Sequence, residues 1–203
     1  KLGQVGTNFY LALGDLADNT NPAQEWCDLV KSYVGQNYPF QLITGNHEDD
    51  KRRHGFILDF AACLPDRLNS FGKYGVEYYF DYNNLARIIM ISPKLTVQKI
   101  SYDYSVGNTH YQWLANAIAG ARAKGLPWVI VGMHKTCISL NRKCDIGSDL
   151  MDLLIDKRVD LVLHGHAHTY ERSKQLSCAK DNNYIASCVI DDGLDNLYPK
   201  GRG

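Results

Sequence analysis

Four short apolar runs constrain this chain most, because each ends abruptly in a polar cluster that contains glycine. The run at 9–13 (FYLAL) meets Gly14 and Asp15, and the run at 40–43 (FQLI) meets Thr44, Gly45, Asn46, His47 and Glu48. The run at 128–131 (WVIV) meets Gly132, Met133 and His134, and that at 159–163 (VDLVL) meets His164, Gly165, His166, Ala167 and His168. Continuous apolar runs of this length suit strands buried on both faces. Helical spacing fills the intervals. Pro22 opens a helical pattern over 22–34 carrying Trp26, Leu29, Val30 and Val34, and a second pattern over 111–123 stops near Gly125. Ser148 is expected to cap a third helix running to Ile155. Two further runs, 76–82 and 85–91, flank Asn83 and Asn84 and read as a β-hairpin. Strands alternating with helices predict an α/β sandwich. In 203 residues with no repeat or linker, one domain over 1–203 is the economical organisation.

The chemistry sits at the ends of the apolar runs. Ligands of open α/β sheets bind at the carboxyl ends of the strands. If the four strands are parallel neighbours, Asp15, Asn46, His134, His166 and His168 converge on one crevice. Carboxylate and amide oxygens mixed with imidazole nitrogens suit zinc, iron or manganese, and the set lacks the thiolates of a structural zinc site. A carboxylate such as Asp15 can bridge two cations, and a cation pair can clamp an in-line phosphoryl displacement. Each motif alone has a plainer reading. Asn46 can stabilise a turn, and a lone histidine after a strand is commonly a satisfied polar residue. The four together, each after a strand-like run, favour the metal reading.

Composition narrows the partners. Lys plus Arg and Asp plus Glu each number 22, and the resulting zero net charge argues against a nucleic-acid partner. No apolar run approaches the ~20 residues needed to span a bilayer. The chain starts at Lys1 with no signal-peptide pattern, so an exported protein would already have lost its targeting segment. The six cysteines form no CxxC pair. The natural pairing is Cys137 with Cys144 and Cys178 with Cys188, each across a short loop. Cys27 and Cys63, both in helical stretches, are left to pair with each other. Such pairs predict an oxidising, extracellular compartment, the alternative being six buried thiols in a reducing one.

Gly14-Asp15, Gly45-Asn46-His47-Glu48, Gly132-Met133-His134 and Gly165-His166-Ala167-His168 together resemble the motifs of the calcineurin-like metallophosphoesterases, in that family's order. The tail at 169–173 (TYERS) is similar to the purple acid phosphatase branch. The resemblance spans about 9–173. It implies an α/β fold, a metallophosphoesterase-type β-sandwich flanked by α-helices in αββα layers. It also implies a two-metal centre of divalent or mixed-valence Fe, Zn or Mn ions that hydrolyses small phosphoesters with hydroxide on the metals as nucleophile. Carried over, Asp15 bridges the metals; Asn46, His134 and His166 complete one site; His168 binds the other. His47 then stands beside the phosphate as proton donor or charge stabiliser.

The pattern has two departures. Asp18 occupies the position of the purple acid phosphatases' tyrosine ligand, so their colour-giving charge transfer is expected to be absent. An upstream aspartate ligand is also missing, since 1–8 contains no Asp, Glu or His. The chain therefore reads as truncated at both ends, with a non-catalytic structural or interaction module of the same fold as the alternative. Among the remaining polar residues, the mixed charge run at 49–54 reads as a solvated face, with a rim for an anionic substrate as the alternative, and His54 and His110 read as surface or cap residues. His164 is expected to point away from the metals, and Arg172 either toward the phosphate or into an ion pair.

Overall fold

Side-chain alternation along two paired strands decides how the layers stack. The computed structural model describes residues 6–17, 22–50, 56–140, 143–179, 185–195 and 197–198. Asp18 and the run at 51–54, His54 included, lie outside the described residues. Strands β1 (Tyr10–Ala12) and β2 (Phe40–Leu42) pair in parallel, with helix α1 (Ala23–Val34) between them in sequence and α2 (Ile57–Cys63) following. A second, five-stranded sheet holds β3 (Phe71–Lys73), β4 (Glu77–Tyr82), β5 (Ala86–Ile91), β8 (Trp128–Met133) and β9 (Leu161–His164), in that order. Its β3–β4–β5 part is antiparallel and its β5–β8–β9 part parallel. Two small hairpins, β6–β7 (Thr96–Val97, Ile100–Ser101) and β10–β11 (Gln175–Leu176, Val189–Asp191), lie outside both sheets.

Even-numbered residues of β4 and β5, Tyr78, Phe80, Ile88 and Met90, pack with Ile43 and with Phe9, Leu11 and Leu13 of the other sheet. The Phe9 ring meets Phe80 edge-on at 5.5 Å, and Tyr78 Oη donates across the gap to the Leu42 carbonyl at 2.8 Å. Odd-numbered Ile89 and Ile91 turn the other way, among Leu114, Ile118 and Ala121 of α3 (Thr109–Ala123) and Leu150 and Leu154 of α4 (Ser148–Asp156). On the opposite side, Trp26 of α1 stands edge-on to both Phe40 and Phe60. Helices, sheet, sheet and helices follow one another, which is the αββα stacking expected.

The helices and the β4–β5 hairpin form where the sequence pattern places them, with four corrections. Leu85 lies in the turn, because Tyr82 pairs with Ala86. Ser148 lies inside α4, and Gly147 holds the cap position without a side-chain hydrogen bond. The four motif-bearing strands form two parallel pairs in two sheets rather than one row. Burial on both faces holds for β2 but not for β1, β8 or β9, where Tyr10, Trp128 and Leu161 are exposed. The disulfides are Cys27–Cys63, Cys137–Cys144 and Cys178–Cys188, as paired from the sequence. Non-reducing peptide mapping should recover these three links; free thiols at all six positions would refute them.

Among the described residues, Arg87 is the charged residue sunk into the β5–α3 interface. Its Nε and Nη2 donate to the two Asp81 oxygens at 2.6 and 2.9 Å, and Nη1 donates to the Ala117 carbonyl at 2.9 Å. The guanidinium beside Asp81 holds its carboxyl below the usual carboxylate range, with Lys124 adding to the effect. Removing one partner of a buried pair leaves the other charge uncompensated. Asp81→Ala should cost about 3 kcal/mol in urea unfolding at neutral pH. A depressed carboxylate stabilises above its unfolded value and ceases to as pH falls. The difference between wild type and variant should therefore shrink below about pH 4. A constant difference at all pH values would exclude the ion pair as its source.

Candidate metal centre

The carboxyl ends of β1, β2, β8 and β9 meet across the two sheets. His134, the residue after β8, reaches over to the first sheet, and its Nδ1 lies 2.7 Å from the Leu13 carbonyl. A carbonyl only accepts, so Nδ1 carries the proton and Nε2 presents a lone pair. That Nε2 lies 3.1 Å from Asp15 Oδ2, 3.0 Å from Asn46 Oδ1 and 3.1 Å from His166 Nδ1. Ligand atoms of Asp15, His134 and His166 all fall within 4.8 Å of one another. Four of the five ligands expected from the sequence are thus brought together. His168, two residues on and solvent-exposed, does not join this cluster among the described residues.

The donor set fits a cation. With Nδ1 protonated, His134 Nε2, Asp15 Oδ2 and Asn46 Oδ1 are three acceptors crowded at hydrogen-bond distance. A single shared proton satisfies one contact at a time, whereas a cation satisfies all of them. Oxygen and imidazole donors without thiolate match zinc, iron or manganese.

Local backbone geometry is bent to this arrangement. Asp15, His166 and His168 hold φ values of 50°, 65° and 55°, in the left-handed region that non-glycine residues seldom adopt. Such strain persists only where the surroundings over-determine it, and it gathers at functional sites. Gly45 shows why glycine precedes Asn46. A Cβ there would collide with the Asp15 backbone nitrogen and carboxylate. The two loops touch backbone to backbone, and no side chain fits between them.

Burial would raise the Asp15 carboxyl, but hydrogen bonding and charge from His134, with His47, hold it below the usual range. The His47 backbone N–H donates to Asp15 Oδ1 at 3.0 Å, and its Nε2 stands 3.8 Å from Asp15 Oδ2. His47 therefore borders the cluster. His164 does turn away. Its Nδ1 meets Thr136 Oγ1 at 3.2 Å, and burial lowers its pKa to about 4, so it is neutral near pH 7. Asp50 is exposed and accepts from the Gln98 and Lys99 backbone N–H groups, whereas Asp49 is buried and so does not belong to a solvated face. His110 is a half-buried partner of Glu77, at 2.9 Å. Arg172 lies 5.8 Å over the Tyr198 ring.

Two residues near the centre escape a reading by ligand type. Glu48 is buried and accepts from the backbone N–H groups of Asp15, Leu16 and Gly45 at 2.9, 2.7 and 2.9 Å. Burial pushes its carboxyl up despite these bonds. Its place in the Gly45-Asn46-His47-Glu48 motif is a signal, but nothing in the sequence says which amides it holds. Asp145 Oδ2 lies 3.4 Å from His166 Nε2, delivered by a loop with no motif at all. Glu48→Ala would strand three backbone donors, two of them buried and one part-buried, at about 1–3 kcal/mol for each buried one. We expect at least about 3 kcal/mol of lost stability in urea unfolding, with Glu48→Gln intermediate. A loss under about 1 kcal/mol would show that the clamp is dispensable.

Comparison with known proteins agrees with this geometry. A model of the family described as calcineurin-like phosphoesterase matches residues 2–170. Purple acid phosphatase 22 of Arabidopsis thaliana is 28% identical over 179 residues, covering 82% of this chain and 39% of that protein. An uncharacterized protein of Mycobacterium tuberculosis is 31% identical over 218 residues, covering 98% of this chain and 41% of that one. The chain thus spans about two fifths of the length of these relatives. In structure it resembles a purple acid phosphatase from yellow lupin (Lupinus luteus) seeds. The TM-score is 0.61 at 21% identity, over 85% of this chain and 33% of that one. The matched motifs, the stacked sheets and these relatives agree: the chain belongs to the calcineurin-like phosphoesterase family and is similar to its purple acid phosphatases.

Proposed function

We propose that this chain carries the metal centre of a phosphoester hydrolase acting on small phosphoesters. The observation that carries the reading is the crowding of two oxygen acceptors and a second imidazole around His134 Nε2, each near 3 Å. Asp15, Asn46, His134 and His166 would hold one transition-metal ion, Fe, Zn or Mn. Asp15 with His168 would contribute to a second. Such ions supply Lewis-acid neutralisation of charge on a phosphoryl group. The protein's own part is positioning and proton transfer. The Leu13 carbonyl fixes the His134 tautomer, and the His47 amide fixes Asp15. The His47 side chain remains partly open to solvent, so its imidazole can hydrogen-bond a substrate oxygen and pass a proton to the departing alkoxide. Three disulfides favour an exported protein working in an oxidising compartment. Zero net charge disfavours nucleic acid as a partner, and among the described residues no helix is long and apolar enough to cross a membrane.

One observation favours a second reading, a non-catalytic module of the same fold. A 25% identical relative, over 89% of this chain, is a probable inactive purple acid phosphatase 24 of Arabidopsis thaliana. Metal analysis with p-nitrophenyl phosphate hydrolysis by the full-length protein separates the two. We expect two metals per chain and turnover. His134→Ala should abolish both metal retention and turnover, whereas His47→Ala should keep the metals and lose about 10²–10⁴-fold in kcat. Metal binding without hydrolysis of any mono- or diester would put the module reading first.

A further inference from the structure

We infer that Asp145 is a positioning residue for His166, holding that imidazole in the tautomer and orientation its place in the cluster requires. The inference rests on the metal-centre reading above. His166 Nδ1 faces His134 Nε2 at 3.1 Å, on the side where the ligand atoms gather. Its other nitrogen, Nε2, faces Asp145 Oδ2 at 3.4 Å. Asp145 therefore meets the far edge of the ring, outside the cluster. A carboxylate there favours the proton on Nε2 and leaves the Nδ1 lone pair for a cation. Metal-binding histidines commonly donate their second ring N–H to such a partner.

Two neighbouring ligands follow the same pattern with different partners. The Leu13 carbonyl holds His134 by Nδ1, and the His47 amide holds Asp15 by Oδ1. For His166 this place is taken by Asp145. His166 also sits at a φ of 65°, in the left-handed region, so the direction of its ring depends on the groups around it. Asp145 is itself braced. Its backbone N–H donates to the Thr136 carbonyl at 2.9 Å, and adjacent Cys144 is linked to Cys137. Thr136, Cys137 and Ile146 are all buried, so the carboxylate projects from an anchored stem.

Zn²⁺ titration of the full-length protein by calorimetry tests the inference without turnover. Asp145→Ala should weaken Zn²⁺ binding about 10–100-fold. Asp145→Asn, which keeps an oxygen acceptor and the side-chain shape, should recover at least half of that loss on a logarithmic scale. Thermal melting of the metal-free proteins should be unchanged. Nitrogen-15 spectra of the imidazoles should show His166 protonated on Nε2 in the wild-type zinc complex and a tautomer mixture in Asp145→Ala. Zn²⁺ affinity within twofold of wild type in Asp145→Ala, or an Asp145→Asn no better than Asp145→Ala, overturns the inference alone. Wild-type protein that binds no Zn²⁺ overturns the metal-centre reading, and the inference with it.

Discussion

The site depends on the Glu48 carboxylate gripping the loops after β1 and β2. Three backbone donors from those loops, Asp15, Leu16 and Gly45, end on its two oxygens. Loop ends at the edge of a sheet would ordinarily turn such groups to water. Held on Glu48, they bring Asp15 and Asn46 to the same point, and the glycine at 45 lets the two backbones touch. A negative group at this depth is costly unless its hydrogen bonds are met. The three amides meet them, and the result is rigid because none can leave without exposing the charge.

The second half of the site arrives from the other sheet. His134 and His166 follow strands β8 and β9, which pair with each other and not with β1 or β2. The layer of Tyr78, Phe80, Ile88 and Met90 against Phe9, Leu11 and Leu13 sets the spacing between the sheets. Within that spacing the His134 ring is long enough to reach the Leu13 carbonyl, adding a hydrogen bond between the sheets beside that of Tyr78 to Leu42. The same bond orients the ring, so packing and ligand chemistry are coupled through one side chain. Large-to-small changes in this layer would act on the candidate metal centre at a distance, by letting the sheets shift.

Anchored ligands are the recurring device. A backbone amide holds Asp15, a backbone carbonyl holds His134, and a carboxylate on a disulfide-linked loop faces His166. Each fixes a donor atom before any cation arrives, which limits the reorganisation that binding would demand. The strained backbone at Asp15 and His166 is tolerable for the same reason, since the surrounding bonds leave those residues no alternative.

Much of this was legible in the sequence. Apolar runs ending at Asp15, Asn46, His134 and His166 marked the side chains that converge in the structure, because residue type and strand-end position are local properties. Helical spacing and the asparagine pair marked α1, α3 and the β4–β5 hairpin, and short loops between cysteines marked two disulfides. What periodicity could not supply was the partition of four similar strands between two sheets. Strand pairing is a contact between residues far apart in sequence, and a buried strand looks the same in either sheet. For the same reason the roles of Glu48 and Asp145 were invisible. A glutamate in a motif or an aspartate in a loop carries no mark of which distant amide or imidazole it will meet. Chemistry of the donors was thus written residue by residue, while the tertiary structure alone decided which groups hold them, through hydrogen bonds that exist only once the sheets have stacked.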